Sequence, residues 1–272
     1  MDKRFSYRNW DIHYRDEGPP APTADCPLVL VHGFAEDSSI WQRQIEALKD
    51  RVRILAPDLP GSGRSSPLRE PASIADLSEM LKALLDKEGL DTCIPIGHSM
   101  GGYCTLAFAE KYPDSAKGFG LFHSTAFPDT EEKKAARRKG IEFIRTNGAA
   151  PFVRQATLNL FSDQFRKDQP EIVETVVRQY MDADAESLIH YYEAMMERPD
   201  SSSVLRQSNV PVFFLIGSQD KAVALPDSLR QCHLPTLSHI TILQQAAHLG
   251  MVEEGRRCNN ALESFLNFTF GI

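Results

Sequence analysis

Thr92-Cys93-Ile94-Pro95-Ile96, followed at once by Gly97-His98-Ser99-Met100-Gly101-Gly102, is the stretch on which the reading of this chain turns. The first five residues have the short apolar pattern of a buried strand, and Tyr103 to Tyr112 beyond them have the spacing of a helix. Between the two stands G-x-S-x-G, the pattern of a sharp strand-to-helix turn that lifts a serine hydroxyl off the end of a sheet. Such a turn is strained and presses backbone against backbone, so it needs small neighbours, and Gly97 and Gly101 supply them. The helix that follows points its N-terminus at the serine, which leaves the Met100 N–H to donate to a developing oxyanion.

Working outward, the strand Leu28-Val29-Leu30-Val31 runs into His32-Gly33-Phe34. Glycine there lets the backbone turn beneath the serine and offers the Phe34 N–H as a second oxyanion donor. His32, ending a buried strand, is read as a hydrogen-bonded structural residue. A serine hydroxyl is a poor nucleophile until a neighbour takes its proton, so one of the eight histidines must serve as base. His248 has the fitting setting, in Gln245-Ala246-Ala247-His248-Leu249-Gly250, where small residues suit a loop that approaches the elbow closely. His98 adjoins Ser99 but points elsewhere from an elbow, and His13, His123, His190, His233 and His239 lack a comparable setting. Asp220, where the apolar run Phe213 to Ile216 passes into a loop, is the acid expected to orient the imidazole, with Asp129 in reserve. The chain order Ser99, Asp220, His248 is the order of a strand–turn–helix serine hydrolase.

Strands and helices alternate on both sides of this centre. Phe5 to Trp10 and Ile12 to Arg15 read as a hairpin, followed by a turn at Gly18-Pro19-Pro20. Val52 to Ala56, Ala116 to Phe122, Pro211 to Ile216 and Ser238 to Leu243 read as further strands. Ser38 to Asp50, Ser73 to Glu88 and Glu253 to Phe268 read as helices. This order predicts an α/β fold: a mostly parallel central sheet covered by helices on both faces. The rhythm breaks from Thr125 to Leu205, which carry helical spacing and no convincing strand, so residues 125–205 are expected to form a helical cap inserted in a core built from 1–124 and 206–272. Phe34, Trp41, Phe127, Phe152, Phe161 and Tyr192 are candidates to line an acyl pocket.

From His32-Gly33-Phe34 to His248 the chain resembles the α/β-hydrolase fold superfamily, of the esterase and lactonase-like type. Asp58-Leu59-Pro60-Gly61-Ser62-Gly63-Arg64-Ser65 resembles the D-x-x-G-x-G-x-S turn found there after the second parallel strand, a shaping element and not a catalytic one. Dehalogenase and epoxide hydrolase relatives place aspartate at the nucleophile position, which Ser99 argues against. Aminopeptidase relatives often have tryptophan after the serine, where Met100 stands here. The resemblance implies a cofactor-free acyl-enzyme mechanism.

Composition agrees with that class. The 272 residues are 42% hydrophobic and 25% charged, the balance of a soluble globular chain. A net charge of -7 argues against nucleic acid as a partner. The basic run from Lys133 to Lys139 is flanked by Glu131, Glu132 and Glu142 and reads as a solvated helix face. With no run of about 18 apolar residues, no membrane span is expected. Nothing resembles a signal peptide at Met1 to Trp10, and five scattered cysteines fit free thiols, so a cytoplasmic protein is the expectation. No metal spacing or dinucleotide fingerprint occurs; Gly61-Ser62-Gly63-Arg64 lacks the third glycine. The expected activity is cleavage of a small or medium-sized carboxylic ester or related acyl compound, with a small molecule as the only partner. The alternatives are a hydrolase-fold receptor with a slow triad, and a cofactor-free perhydrolase or C–C hydrolase.

Overall fold

The computed structural model describes residues 1–18 and 26–271. The turn expected at Gly18-Pro19-Pro20 falls, beyond Gly18, outside the described residues. Eight strands make one sheet: β1 Asp2–Tyr7, β2 Trp10–Glu17, β3 Leu28–Val31, β4 Ile54–Pro57, β5 Ile94–His98, β6 Phe119–Phe122, β7 Val212–Gly217 and β8 Ser238–Leu243. Their spatial order is β1-β2-β4-β3-β5-β6-β7-β8. The β1–β2 hairpin and the β2–β4 pair are antiparallel, and every other pair is parallel. The mostly parallel sheet is therefore present, extended at one edge by the N-terminal hairpin.

The apolar runs are continuous because both faces of the sheet are covered. Along β3, Leu28 and Leu30 face one layer, with Ile45 and Leu48 of α1 (Gln42–Leu48) and Leu262 and Phe265 of α12 (Gly255–Phe270). Val29 and Val31, one residue out of phase, face Leu77 and Leu81 of α2 (Ile74–Lys87) and Cys104 and Phe108 of α3 (Met100–Lys111). On β7 the same alternation sends Phe213 and Leu215 to the first layer, and Val212, Phe214 and Ile216 to Leu106 and Ala109 of α3. β8, at the sheet edge, exposes Ser238 and Ile240 and buries Leu243 at its end in the first layer.

Between β6 and β7 the described chain is helical: α4 Glu131–Asn147, α5 Ala149–Leu160, α6 Asp163–Asp168, α7 Pro170–Tyr180, α8 Ala185–Glu197 and α9 Ser202–Gln207. Buried polar contacts dock α8 onto the Asp58–Ser65 turn. Tyr191 donates to the Pro60 carbonyl at 2.5 Å, and the Leu68 N–H donates to Ser187 Oγ at 3.0 Å. That turn is organised by Asp58, whose carboxylate accepts the Ser38 and Arg64 N–H groups at 2.8 and 2.9 Å and contacts His13 Nδ1 at 2.8 Å. It shapes the core loop as the sequence suggested.

Some boundaries differ from expectation, for physical reasons. Helix α3 begins at Met100 and not at Tyr103. Glycine is a poor helix former in isolation, but here a Cβ on Gly101 would come within 2.4 Å of the Val31 carbonyl, and one on Gly102 within 2.3 Å of Ser124 Oγ. A further helix, α10 (Leu225–Cys232), follows β7, with Pro226 in its first turn. The closing helix is split, since Glu254 (φ -125°) separates α12 from a short α11, Gly250–Glu253. Among the described residues no helix is long and apolar enough to cross a membrane.

Candidate active site

Ser99 sits where β5 passes into α3, with φ 49° and ψ -114°, a left-handed conformation that an L-residue holds only under constraint. The constraint comes from its neighbours. The Ser99 N–H donates to the Phe122 carbonyl of β6 at 3.0 Å, while the Ser99 carbonyl accepts from the Gly102 N–H and from Ser124 Oγ. A Cβ on Gly97 would lie 2.1 Å from the Gly101 carbonyl oxygen, so no other residue lets the turn close this tightly. Ser99 is partly exposed while the residues on either side of it are buried.

Asp220 and His248 meet beyond the ends of β7 and β8. His248 Nδ1 lies 2.7 Å from Asp220 Oδ2, and Asp220 Oδ1 accepts the Ala222 and Val223 N–H groups at 2.8 and 2.9 Å. Burial alone would raise the Asp220 carboxyl, but the charge and hydrogen bond of His248, with His123 nearby, hold it far below the usual carboxylate range. Burial would lower His248 in turn, and the Asp220 carboxylate outweighs it, so His248 is raised. With Nδ1 committed to Asp220, Nε2 is the nitrogen left for chemistry.

His123, which lacked a telling sequence context, is buried beside this pair with its Nδ1 3.6 Å from Asp220 Oδ2. It is no donor to the carboxylate, because Nδ1 accepts the Gly217 N–H at 3.1 Å. Burial pushes its pKa down to about 4. His32 takes the structural place expected of it, accepting the Leu59 N–H at Nε2 (2.9 Å) and donating from Nδ1 to the Gly33 carbonyl (2.8 Å). His98 and Glu36 were not singled out as site residues, yet they connect the loops: Glu36 Oε2 lies 2.8 Å from His98 Nδ1, and His98 Nε2 lies 3.0 Å from the His248 carbonyl. The buried glutamate leaves only one trace in the sequence, a charged residue right after the turn His32-Gly33-Phe34-Ala35. Asp129, the reserve acid, is engaged elsewhere, by Arg137 at 2.5 Å and Arg198 at 2.9 Å.

Met100 is the first residue of α3, where N–H groups have no intrahelical acceptor. Phe34 follows Gly33 in a turn where Ala35 has φ 56°. The Phe34 ring stacks on Tyr192 of α8 (4.4 Å, 3°) and meets Phe152 of α5 edge-on at 6.2 Å. Of the other aromatic candidates, Trp41 and Phe161 are buried in the core, and Phe127 lies under the Arg230 guanidinium. The α4–α9 segment also reaches His248, whose N–H donates to the Leu160 carbonyl at 2.9 Å. A cavity of about 830 Å³ opens next to the Gly33–Glu36 turn, lined by Ala35, Glu36, Asp37, Asp58, Tyr180 and Asp184 among others; Ser99, Asp220 and His248 do not line it. Among the described residues no group of His, Cys, Asp and Glu is arranged to hold a metal ion.

The family pattern described as alpha/beta hydrolase fold matches residues 27–254, from the residue before β3 to the residue before α12. The chain belongs to this family. Among alpha/beta hydrolase relatives, it is 28% identical to 3-oxoadipate enol-lactonase 2 of Acinetobacter baylyi, over 89% of this chain and 90% of that one. A thermophilic esterase from Thermogutta terrifontis superposes with a TM-score of 0.91 at 27% identity, covering 99% of both chains. The enol-lactonase of Burkholderia xenovorans, at 21% identity, shares the fold with a TM-score of 0.89 over 97% of this chain and 100% of that one.

Proposed function

We propose that this alpha/beta hydrolase is a serine hydrolase that opens a small or medium-sized carboxylic ester or lactone through an acyl-enzyme. Ser99 Oγ attacks the carbonyl carbon while His248 Nε2 takes its proton. The carbonyl oxygen becomes an oxyanion held by the Phe34 and Met100 N–H groups. The tetrahedral intermediate collapses, and His248 returns the proton to the departing alkoxide. Water then attacks the acyl-enzyme with His248 again as base, and Ser99 leaves with the proton. Asp220 keeps the imidazole in the tautomer that presents Nε2 and stabilises its cation.

The observation that carries this reading is the 2.7 Å contact of His248 Nδ1 with Asp220, at the same end of the sheet as a serine in a strained elbow. The enol-lactonase and esterase names of its relatives support the acyl substrate class. The α4–α9 helices act as the cap in this proposal, since Tyr192 and Phe152 cover Phe34 and Leu160 holds His248.

Ser99→Ala tests the assignment. Hydrolysis of p-nitrophenyl esters should fall by about 10⁴-fold or more while the thermal unfolding midpoint stays close to that of the native protein. A fluorophosphonate probe should label Ser99, read by peptide mass. Near-native esterase activity in Ser99→Ala would remove the serine from the mechanism.

A further inference from the structure

Glu36 is an unusual residue to bury. Its side chain is 4% exposed, its Oε1 has no hydrogen-bond partner among the described residues, and the mechanism above does not use it. All its bonding passes through Oε2, which accepts the Gly33 N–H at 2.8 Å and lies 2.8 Å from His98 Nδ1. From the other side of the same ring, His98 Nε2 lies 3.0 Å from the His248 carbonyl oxygen. The His98 ring itself stands 4.9 Å from the His248 ring. Gly33 has no room for a side chain, because a Cβ there would meet His98 Nδ1 at 2.8 Å and Glu36 Oε2 at 2.9 Å.

The proton positions follow from what each atom can do. A carbonyl oxygen only accepts, so His98 Nε2 carries a proton, and one further proton lies between Nδ1 and the carboxyl group. The Gly33 N–H points its positive end at Oε2 and favours the anionic carboxylate. Burial opposes the charge on Glu36, but His98 and the Gly33 N–H outweigh it and hold the carboxyl below its ordinary value. The titratable groups around the pair are His32 and Asp37 on its own loop, Asp58 after β4, Tyr180 of α7, His123 after β6, and His248 with Asp220.

We propose that Glu36 and His98 form a buried hydrogen-bonded pair that acts as a positioning device, fixing the Phe34 oxyanion loop, the Ser99 elbow and the His248 loop to one another. The inference rests on the roles proposed above for Ser99, His248 and Phe34. Glu36 folds back on Gly33 and so sets the turn that presents the Phe34 N–H. His98 belongs to the elbow and grips the backbone of the base. An error of about 1 Å in such an arrangement costs about a hundredfold in rate, so three loops tied by two side chains are held where the chemistry needs them.

Glu36→Gln is the discriminating variant, because no placement of an amide reproduces Oε2. A nitrogen there cannot accept from Gly33, and an oxygen there offers His98 Nδ1 a neutral amide in place of a carboxylate. The variant should lose about tenfold to a hundredfold in kcat with KM little changed, and fluorophosphonate labelling of Ser99 should slow by a similar factor. His98→Gln should lose a comparable factor, and the double variant no more than the worse single one, since the two act as a unit. Nitrogen-15 NMR of the native enzyme supplies a readout that does not depend on any variant folding: His98 should carry a proton on Nε2, bonded to the His248 carbonyl. A His98 with a bare Nε2, or Glu36→Gln labelled at Ser99 at the native rate, overturns the proposal. Labelling of the native enzyme at a residue other than Ser99 overturns the serine assignment and this inference with it.

Discussion

His248 is buried between two influences of opposite sign, and the outcome sets the pH at which the proposed chemistry begins. Desolvation disfavours its cation, the Asp220 carboxylate at 2.7 Å favours it, and the carboxylate prevails. A general base must be neutral to accept a proton, so activity should rise with pH through an apparent pKa above the ordinary histidine value of about 6.5. Asp220→Asn removes the favourable charge and presents an amide to Nδ1. The acid limb of kcat/KM should then move to lower pH, while the plateau rate drops by about 10⁴-fold as the imidazole loses its orientation. A pH–rate profile of both proteins on one ester decides the matter, and an unmoved limb with a native plateau would exclude Asp220. Ser99, Asp220 and His248 could be proposed from the sequence because each stands next to a motif, a strand end or small residues that single it out. Glu36 was not, since nothing in its neighbours announces that Gly33 and His98 converge on a single carboxylate oxygen.

At the scale of elements, the ends of the α4–α9 segment are tied together over α3. Asp129 precedes α4, Arg198 follows α8, and Arg137 lies on α4 itself; Asp129 is bonded to both arginines and its side chain is fully buried. Arg198 also lies 3.8 Å from the ring centroid of Tyr103, one turn along α3 from Ser99. The two cations share one carboxylate, so removing its charge leaves Arg198 buried and unpaired, a loss of about 3–5 kcal/mol. Asp129→Asn should accordingly destabilise the protein by about that amount in urea unfolding, and a change within about 0.5 kcal/mol would show the cluster to be incidental. Elements like these show where pattern reading stops. Strands β3, β5 and β7 were evident from their unbroken apolar runs. The start of α3 at Met100 and the existence of α10 depend on backbone approach and packing, which hydrophobic period does not encode.

On the scale of the whole molecule, a sheet carrying Ser99, Asp220 and His248 at one end meets a helical layer that carries aromatic rings to the same end. The break in strand rhythm after Thr125 was readable in the sequence, but the rings it brings to Phe34 were not, because they lie on different helices and meet only in the fold. Tyr192 is the centre of that contact: its ring stacks on Phe34 at 4.4 Å, meets Phe152 at 5.7 Å and has the Arg137 guanidinium over it at 5.3 Å. If α4–α9 cap the acyl site, Tyr192→Ala opens space directly above the oxyanion loop without touching Asp220, His248 or the Glu36–His98 pair. The relative kcat/KM for longer p-nitrophenyl esters over acetate should then rise by about tenfold, the order of selectivity that one or two methylene groups command in an apolar pocket. The apparent pKa of the acid limb should stay at the native value, because the groups that set it are unchanged. Part of the stability contributed by the aromatic cluster is lost as well, about 3 kcal/mol for a large side chain truncated among its contacts, so the comparison is made well below the unfolding midpoint of the variant. An unchanged chain-length preference at full folding would mean that these helices do not bound the acyl pocket, whereas a broadened preference with an unmoved pH profile separates control of substrate size from control of the proton.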